Sequence, residues 1–132
     1  MPLSIDKTID IHTRALSLQA RRAELLGANL ANADTPGYKA RDIDFRAAMA
    51  AAEEGLAGGP LAVTRVGHQQ PAGFAPEGEI LYRQPLQPSL DGNTVETQVE
   101  MAQFAENAVR YLATLRFLSG KFNSYLTAFR GE

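Results

Sequence analysis

Few residues of this chain belong to the types that do most chemistry, and those few are scattered. His12 and His68 are the only histidines among 132 residues, and there is no cysteine. Neither histidine has a neighbouring pair of carboxylates at ligand spacing, so the pattern assembles no metal site. Without cysteine, disulfides, thiolate ligands and thiol nucleophiles all fall away. Asp42 and Asp44 stand two apart around Ile43. In an extended segment they share one face, which suits a cation or general acid-base work but equally an ordinary solvated strand face. Gly58-Gly59 lacks the preceding strand and following helix of a phosphate loop, and no Lys-Ser or Lys-Thr follows it. An enzyme needs polar groups that converge on a pocket, and none are visible here. The reading is therefore of a non-enzymatic protein with no cofactor and no metal.

Bulk properties narrow the field further. At 45% apolar content, 132 residues make at most one ordinary domain. Thirteen Lys and Arg against fifteen Asp and Glu leave a net charge of −2, so the bulk electrostatics call for no nucleic acid and no anionic membrane. Asp6, Lys7 and Asp10 stand where a secretory signal needs an apolar stretch, so no cleavable signal is read. The longest apolar run, residues 47–52, is too short to span a bilayer, and no direct membrane insertion is expected.

Hydrophobic period and breakers divide the chain into three: residues 1–37, 38–92 and 93–132. In the first part Ser4 is placed as N-cap and Asp6 in the first turn, and a helix runs to about Asn32. Ile9, Leu16, Ala23 and Leu30 recur every seven residues, and Ile11, Leu18 and Leu25 form a second series two positions on. In the last part Asp91-Gly92 is a turn dipeptide, Asn93 is an N-cap type, and Glu96 stands three residues later as in a capping box. From there Met101, Ala105, Ala108, Leu112, Leu115, Ser119, Phe122, Leu126 and Phe129 follow the 4,3 spacing of a coiled-coil seam. Phe104, Tyr111, Leu118 and Tyr125 make a second stripe on another face.

One partner helix cannot cover both faces, and the chain has only two long helices. Burial of one helix on several sides of a monomeric bundle is the bland alternative. The larger patch favours association with other chains, because uncovered apolar surface of that extent marks a binding site. Between the helices lies a segment dense in Gly and Pro. It has room for a short Ala-rich helix at residues 45–54 and for a small hairpin pairing Leu61-Ala62-Val63-Thr64 with Ile80-Leu81-Tyr82; disorder in the isolated chain is the other reading. The predicted fold is thus dominated by α-helix. Long N- and C-terminal helices pack as an antiparallel coiled-coil-like pair around a loop-rich middle insert.

The most specific string is Asn29-Leu30-Ala31-Asn32-Ala33-Asp34-Thr35-Pro36-Gly37-Tyr38-Lys39-Ala40. Physically it stops a helix: Asn32 and Asp34 bond to local backbone, Pro36 cannot continue the helix, and Gly37 accepts positive φ. The string also resembles the signature of the axial proteins of the bacterial flagellum, the rod and hook subunits. The resemblance covers nearly the whole chain and narrows to the proximal rod subunits. It is carried by Asn29, Asn32, residues 35–45, Thr64 and His68, Asp91-Gly92-Asn93-Thr94-Val95, Glu100-Met101, Ala105-Glu106-Asn107 and Arg110-Tyr111. Gln19 departs where the family often carries a base, and Leu112 where a Gln is common.

The resemblance implies a structural subunit of the basal-body rod, exported by the flagellar type III apparatus without a cleaved signal and placed where the rod crosses the periplasm. Implied partners are other copies of the chain, other proximal rod proteins, the rod-base adaptor at the MS-ring junction, and the type III export gate. The turn residues Asn29, Asn32, Thr35, Pro36, Gly37 and Tyr38 are the family motif. The stripe residues are the expected assembly interface: Ile9, Leu16 and Leu30 on the first helix; Met101, Leu112, Leu115, Phe122, Leu126, Phe129, Phe104, Tyr111, Leu118 and Tyr125 on the last. A different rod or hook paralogue is the nearest alternative, and a coiled-coil secretion-needle subunit or chaperone a more distant one.

Overall fold

A helix opens the described chain because apolar residues recur at three- and four-residue steps with no proline between Ile5 and Pro36 and a single glycine, Gly27, in its interior. In the computed structural model, which describes residues 5–57 and 78–131, this is α1, Ile5–Ala31. Its inward line is Ala15, Leu18, Gln19, Leu26 and Asn29, all buried, with Ile9, Leu16 and Leu30 half-buried beside it. The helix ends where its last turn tightens. Asn32 donates its backbone N–H to Ala28 and Asn29, and its side-chain amide gives the Ala28 carbonyl a second donor at 2.8 Å.

Next come β1, Arg41–Ile43, and α2, Phe45–Ala57. Asp44 starts α2 by accepting the Ala47 N–H at 3.0 Å, an N-cap arrangement. Asp42 and Asp44 therefore do not act as one acidic face: the first is drawn inward to arginines, the second caps a helix. The alanines of α2 allow close approach to α1, with Ala48 and Ala52 buried. Leu18, Ile43 and Ala48 form the small apolar core, flanked by Leu25, Phe45 and Met49.

Strand β2, Ile80–Tyr82, pairs antiparallel with β1 in the register Arg41↔Tyr82, Asp42↔Leu81 and Ile43↔Ile80. The anticipated partner for Ile80-Leu81-Tyr82, Leu61-Ala62-Val63-Thr64, lies outside the described residues. The observed pairing is long-range, and it puts Ile43 on the core side of α1 while the residues after β2 lead directly to the last helix.

Helix α3, Thr97–Arg130, runs antiparallel to α1, as the contacts of Asn29 with Glu100 and of Gln19 with Asn107 show. Its start corrects the capping-box expectation. The N-cap is Glu96, with no side-chain cap bond, because Asn93 is engaged elsewhere. Gly131, at φ 73°, closes the far end with its N–H on the Thr127 carbonyl.

Candidate assembly surface

The face that α3 turns to α1 is not the one its apolar period favours. Glu100 and Asn107 are buried, at 0% and 3% exposure, and Gln103, Tyr111, Thr114, Leu118 and Tyr125 are half-buried in line with them. The stripe one residue on is open. Met101, Leu112, Leu115, Phe122, Leu126 and Phe129 are all exposed, Leu115 by 44% and Phe129 by 82%. Phe104, at the margin between the faces, is 41% exposed, and Val109 and Phe117 extend the apolar surface around the helix. The second predicted stripe thus splits: Tyr111, Leu118 and Tyr125 are half-buried, while Phe104 is exposed. The expectation that intramolecular packing leaves one face of α3 uncovered matches this arrangement.

A polar cluster holds α3 in that orientation. The side-chain amide of Asn107 donates to the Gln19 carbonyl at 2.8 Å, and Gln19 Nε2 lies 3.4 Å from Thr114 Oγ1. Asn29 Nδ2 donates to Glu100 Oε2 at 3.1 Å, and the other Glu100 oxygen accepts Arg83. Arg83 also donates to Asp42 at 2.6 Å and to Gln103 at 2.6 Å. Arg22 completes the group, with its Nε 2.8 Å from one Asp42 oxygen and its Nη2 2.9 Å from the other. Two guanidinium groups are set against two carboxylates, so the cluster is formally neutral, as burial demands. Hydrogen bonding to Asp42 raises the Arg22 pKa. Burial alone would push the Asp42 carboxyl up; donation by Arg22, the Ile43 N–H and Arg83 outweighs it and holds the group below the usual carboxylate range.

The family-motif residues do more than stop α1. Asn29 is buried and pairs both ways with the outer edge of β1: its Oδ1 accepts the Arg41 N–H at 3.0 Å and its Nδ2 donates to the Arg41 carbonyl at 2.7 Å. Thr35-Pro36-Gly37-Tyr38 is a β-turn with Gly37 at φ 72° and the Tyr38 N–H on the Thr35 carbonyl. The turn docks on the segment before α3. Gly37 N–H donates to the Asp91 carbonyl at 2.9 Å, and the Asn93 amide sits 3.1, 2.8 and 2.9 Å from the carbonyls of Asn32, Ala33 and Thr35. That engagement is why Asn93 does not cap α3. Thr94 adds its hydroxyl as acceptor for the Ala40 N–H at 2.7 Å.

Sequence reasoning missed the inward role of Glu100, Gln103, Asn107 and Arg83. A signal was present: an acid, two amides and a threonine lie along one line of α3 at steps of three, four and seven, beside an apolar stripe. Among the described residues there is no group of His, Asp and Glu able to hold a metal, and no helix long and apolar enough to cross a membrane. His68 and Thr64 lie outside the described residues.

Comparison with known proteins follows the same elements. The model of the family described as "Flagella basal body rod protein" matches residues 9–39, which are α1 and its turn. The "Flagellar basal body rod protein FlgB" of Cereibacter sphaeroides is 48% identical over 94% of each chain. Its namesake in Aeromonas hydrophila is 45% identical over 100% of this chain and 99% of its own, and that of Salmonella typhimurium 41% identical over 96% of both. Similarity of this degree along essentially the full length spans both helices, the turn and the insert, and on that ground the chain belongs to the FlgB family of flagellar basal body rod proteins.

Proposed function

We propose that this rod subunit assembles through the uncovered apolar stripe of α3, packing against other copies of itself and against other proximal rod proteins. The observation that carries the reading is that stripe: Met101, Leu112, Leu115, Phe122 and Leu126 stay exposed although the 27-residue α1 lies alongside α3. Apolar surface of this extent is stabilised when a neighbour removes it from water, at roughly 25 cal/mol per Å². The role is structural and not enzymatic, which is consistent with relatives named as rod proteins and with a site made of packing faces.

In the same reading the chain occupies the proximal rod in the periplasm. It meets the rod-base adaptor and the type III export gate, and reaches its place by type III export without a cleaved signal. The turn at Thr35-Pro36-Gly37-Tyr38 and the docked Asn93 segment form the rigid end of the helix pair that such stacking needs.

The test is the Leu115→Asp/Leu126→Asp variant. Each change forfeits about 1.5–3 kcal/mol of side-chain burial at an interface and adds the desolvation of a charge. Cells carrying it should export the subunit yet lack rods, hooks and filaments. Lys121→Asp/Ser124→Asp, exposed on the opposite flank of α3, serves as the control and should swim. Normal rod content in basal bodies isolated from the Leu115→Asp/Leu126→Asp strain would refute the interface.

A further inference from the structure

Helix α3 carries two contact stripes that differ by one residue position. Glu100, Gln103, Asn107, Tyr111 and Thr114 face α1, whereas Met101, Ala108, Leu112 and Leu115, each one residue on, are exposed. One residue along an α-helix is about 100° of rotation. Turning α3 by that angle about its own axis exchanges the stripes without changing its length or its antiparallel pairing. Hydrophobic burial by itself favours the exchange, since the exposed line is the more apolar of the two.

Rotation would cost the polar line its partners. Glu100 would leave Arg83 and Asn29, and Asn107 would leave the Gln19 carbonyl. Arg83 anchors the choice from outside the helix pair, because the same guanidinium is held by Asp42 on β1. Resting on the reading of the exposed stripe as the assembly face, we infer that the buried cluster of Asn29, Arg83, Glu100 and Asn107 is a rotational selector, which keeps the apolar stripe of α3 outward and available to a neighbour. A buried polar group that fixes orientation at the expense of stability has a precedent in coiled coils, where one buried Asn sets the register. The closed alternative, with the apolar stripe on α1, is a subunit content with itself and unable to assemble.

The absence of cysteine makes the orientation measurable by cross-linking in the full chain. In the otherwise unchanged subunit, a short bifunctional thiol-alkylating reagent should link Gln19→Cys/Thr114→Cys readily and Gln19→Cys/Leu115→Cys poorly, as the Gln19 and Thr114 side chains meet tip to tip at 3.4 Å. Adding Glu100→Leu/Asn107→Leu should invert that preference, with the yield ratio moving by about tenfold or more toward the Leu115→Cys pair. The midpoint of thermal unfolding should not fall, and binding of an apolar-surface dye should drop. Asn107→Leu alone, the milder change, should give an intermediate ratio. Retention of the Thr114→Cys preference in folded Glu100→Leu/Asn107→Leu protein overturns the inference. So does loss of the helical signal in both variants, because the idea requires the apolar stripe to replace the polar one. Cross-linking is read on the isolated subunit, so it stands or falls independently of whether rods use the stripe, which the Leu115→Asp/Leu126→Asp strain decides.

Discussion

Gly37 and Gly78 both take positive φ, at 72° and 67°, but their surroundings differ. A Cβ at Gly37 would meet nothing within 4 Å, whereas one at Gly78 would fall 2.4 Å from Ile43 Cγ2 in the core. Gly37→Ala should therefore cost only the backbone term, about 1–2 kcal/mol. Gly78→Ala should cost clearly more, because a core side chain must also shift. Urea unfolding of the two variants checks the order, and equal midpoints would contradict it. Asp42 makes a second residue-scale prediction. Its pKa is lowered in the folded chain, so its contribution is present above the unfolded value of about 3.9 and is lost as pH falls through the folded value. Stability should decline below about pH 4, and Asp42→Asn should flatten that decline while losing about 1–3 kcal/mol at neutral pH, since two arginines lose the shared negative charge and one of its two accepting oxygens becomes a donor. Unchanged acid unfolding in Asp42→Asn would show that other carboxylates govern it.

At the scale of elements, the start of α3 is the informative case. Asn93 and Glu96 have the spacing of a capping box, yet the helix begins at Thr97. Asn93 is buried against the carbonyls of the α1 turn, and its Oδ1 accepts the Val95 N–H at 2.7 Å, a local bond that competes with helix. Glu96 is left as an N-cap without a side-chain bond. Two opposite outcomes are expected. Glu96→Ser should stabilise the subunit by about 0.5–1 kcal/mol by supplying a cap. Asn93→Ala should destabilise it by about 1–3 kcal/mol by removing the buried amide that ties the three turn carbonyls to the segment before α3. Denaturant midpoints measure both, and a neutral Asn93→Ala would mean that the turn holds without its amide clasp.

At the scale of the whole molecule, the tertiary polar contacts among the described residues gather toward one end of the helix pair. The turn, the β1–β2 ribbon, the charge cluster and the start of α3 converge there, whereas residues 126–130 of α3 are exposed. Amide exchange in the isolated subunit should be slowest around residues 100–114 and faster past Gly120, because sparsely packed helix ends open locally. On the assembly proposed above, protection of the far end should rise in purified basal bodies. Uniform protection along α3 in the isolated subunit would deny that the far end depends on assembly.

The two long terminal helices, the turn and the excess of apolar surface were legible in the sequence because they depend on local rules: heptad spacing, Pro36 and Gly37, and a count of faces against helices. What only the tertiary structure decided is which face of α3 goes inward. The apolar period pointed to the Met101–Leu115 line, but Arg83, brought in by the long-range pairing of β2 with β1, meets Glu100, and Asn29 and Gln19 meet Glu100 and Asn107. Those partners stand 17, 71 and 88 residues apart along the chain, so no periodicity reports them. Buried polar groups pair through space, and their demand for partners overrode a stripe that local hydrophobicity alone would have turned to the core.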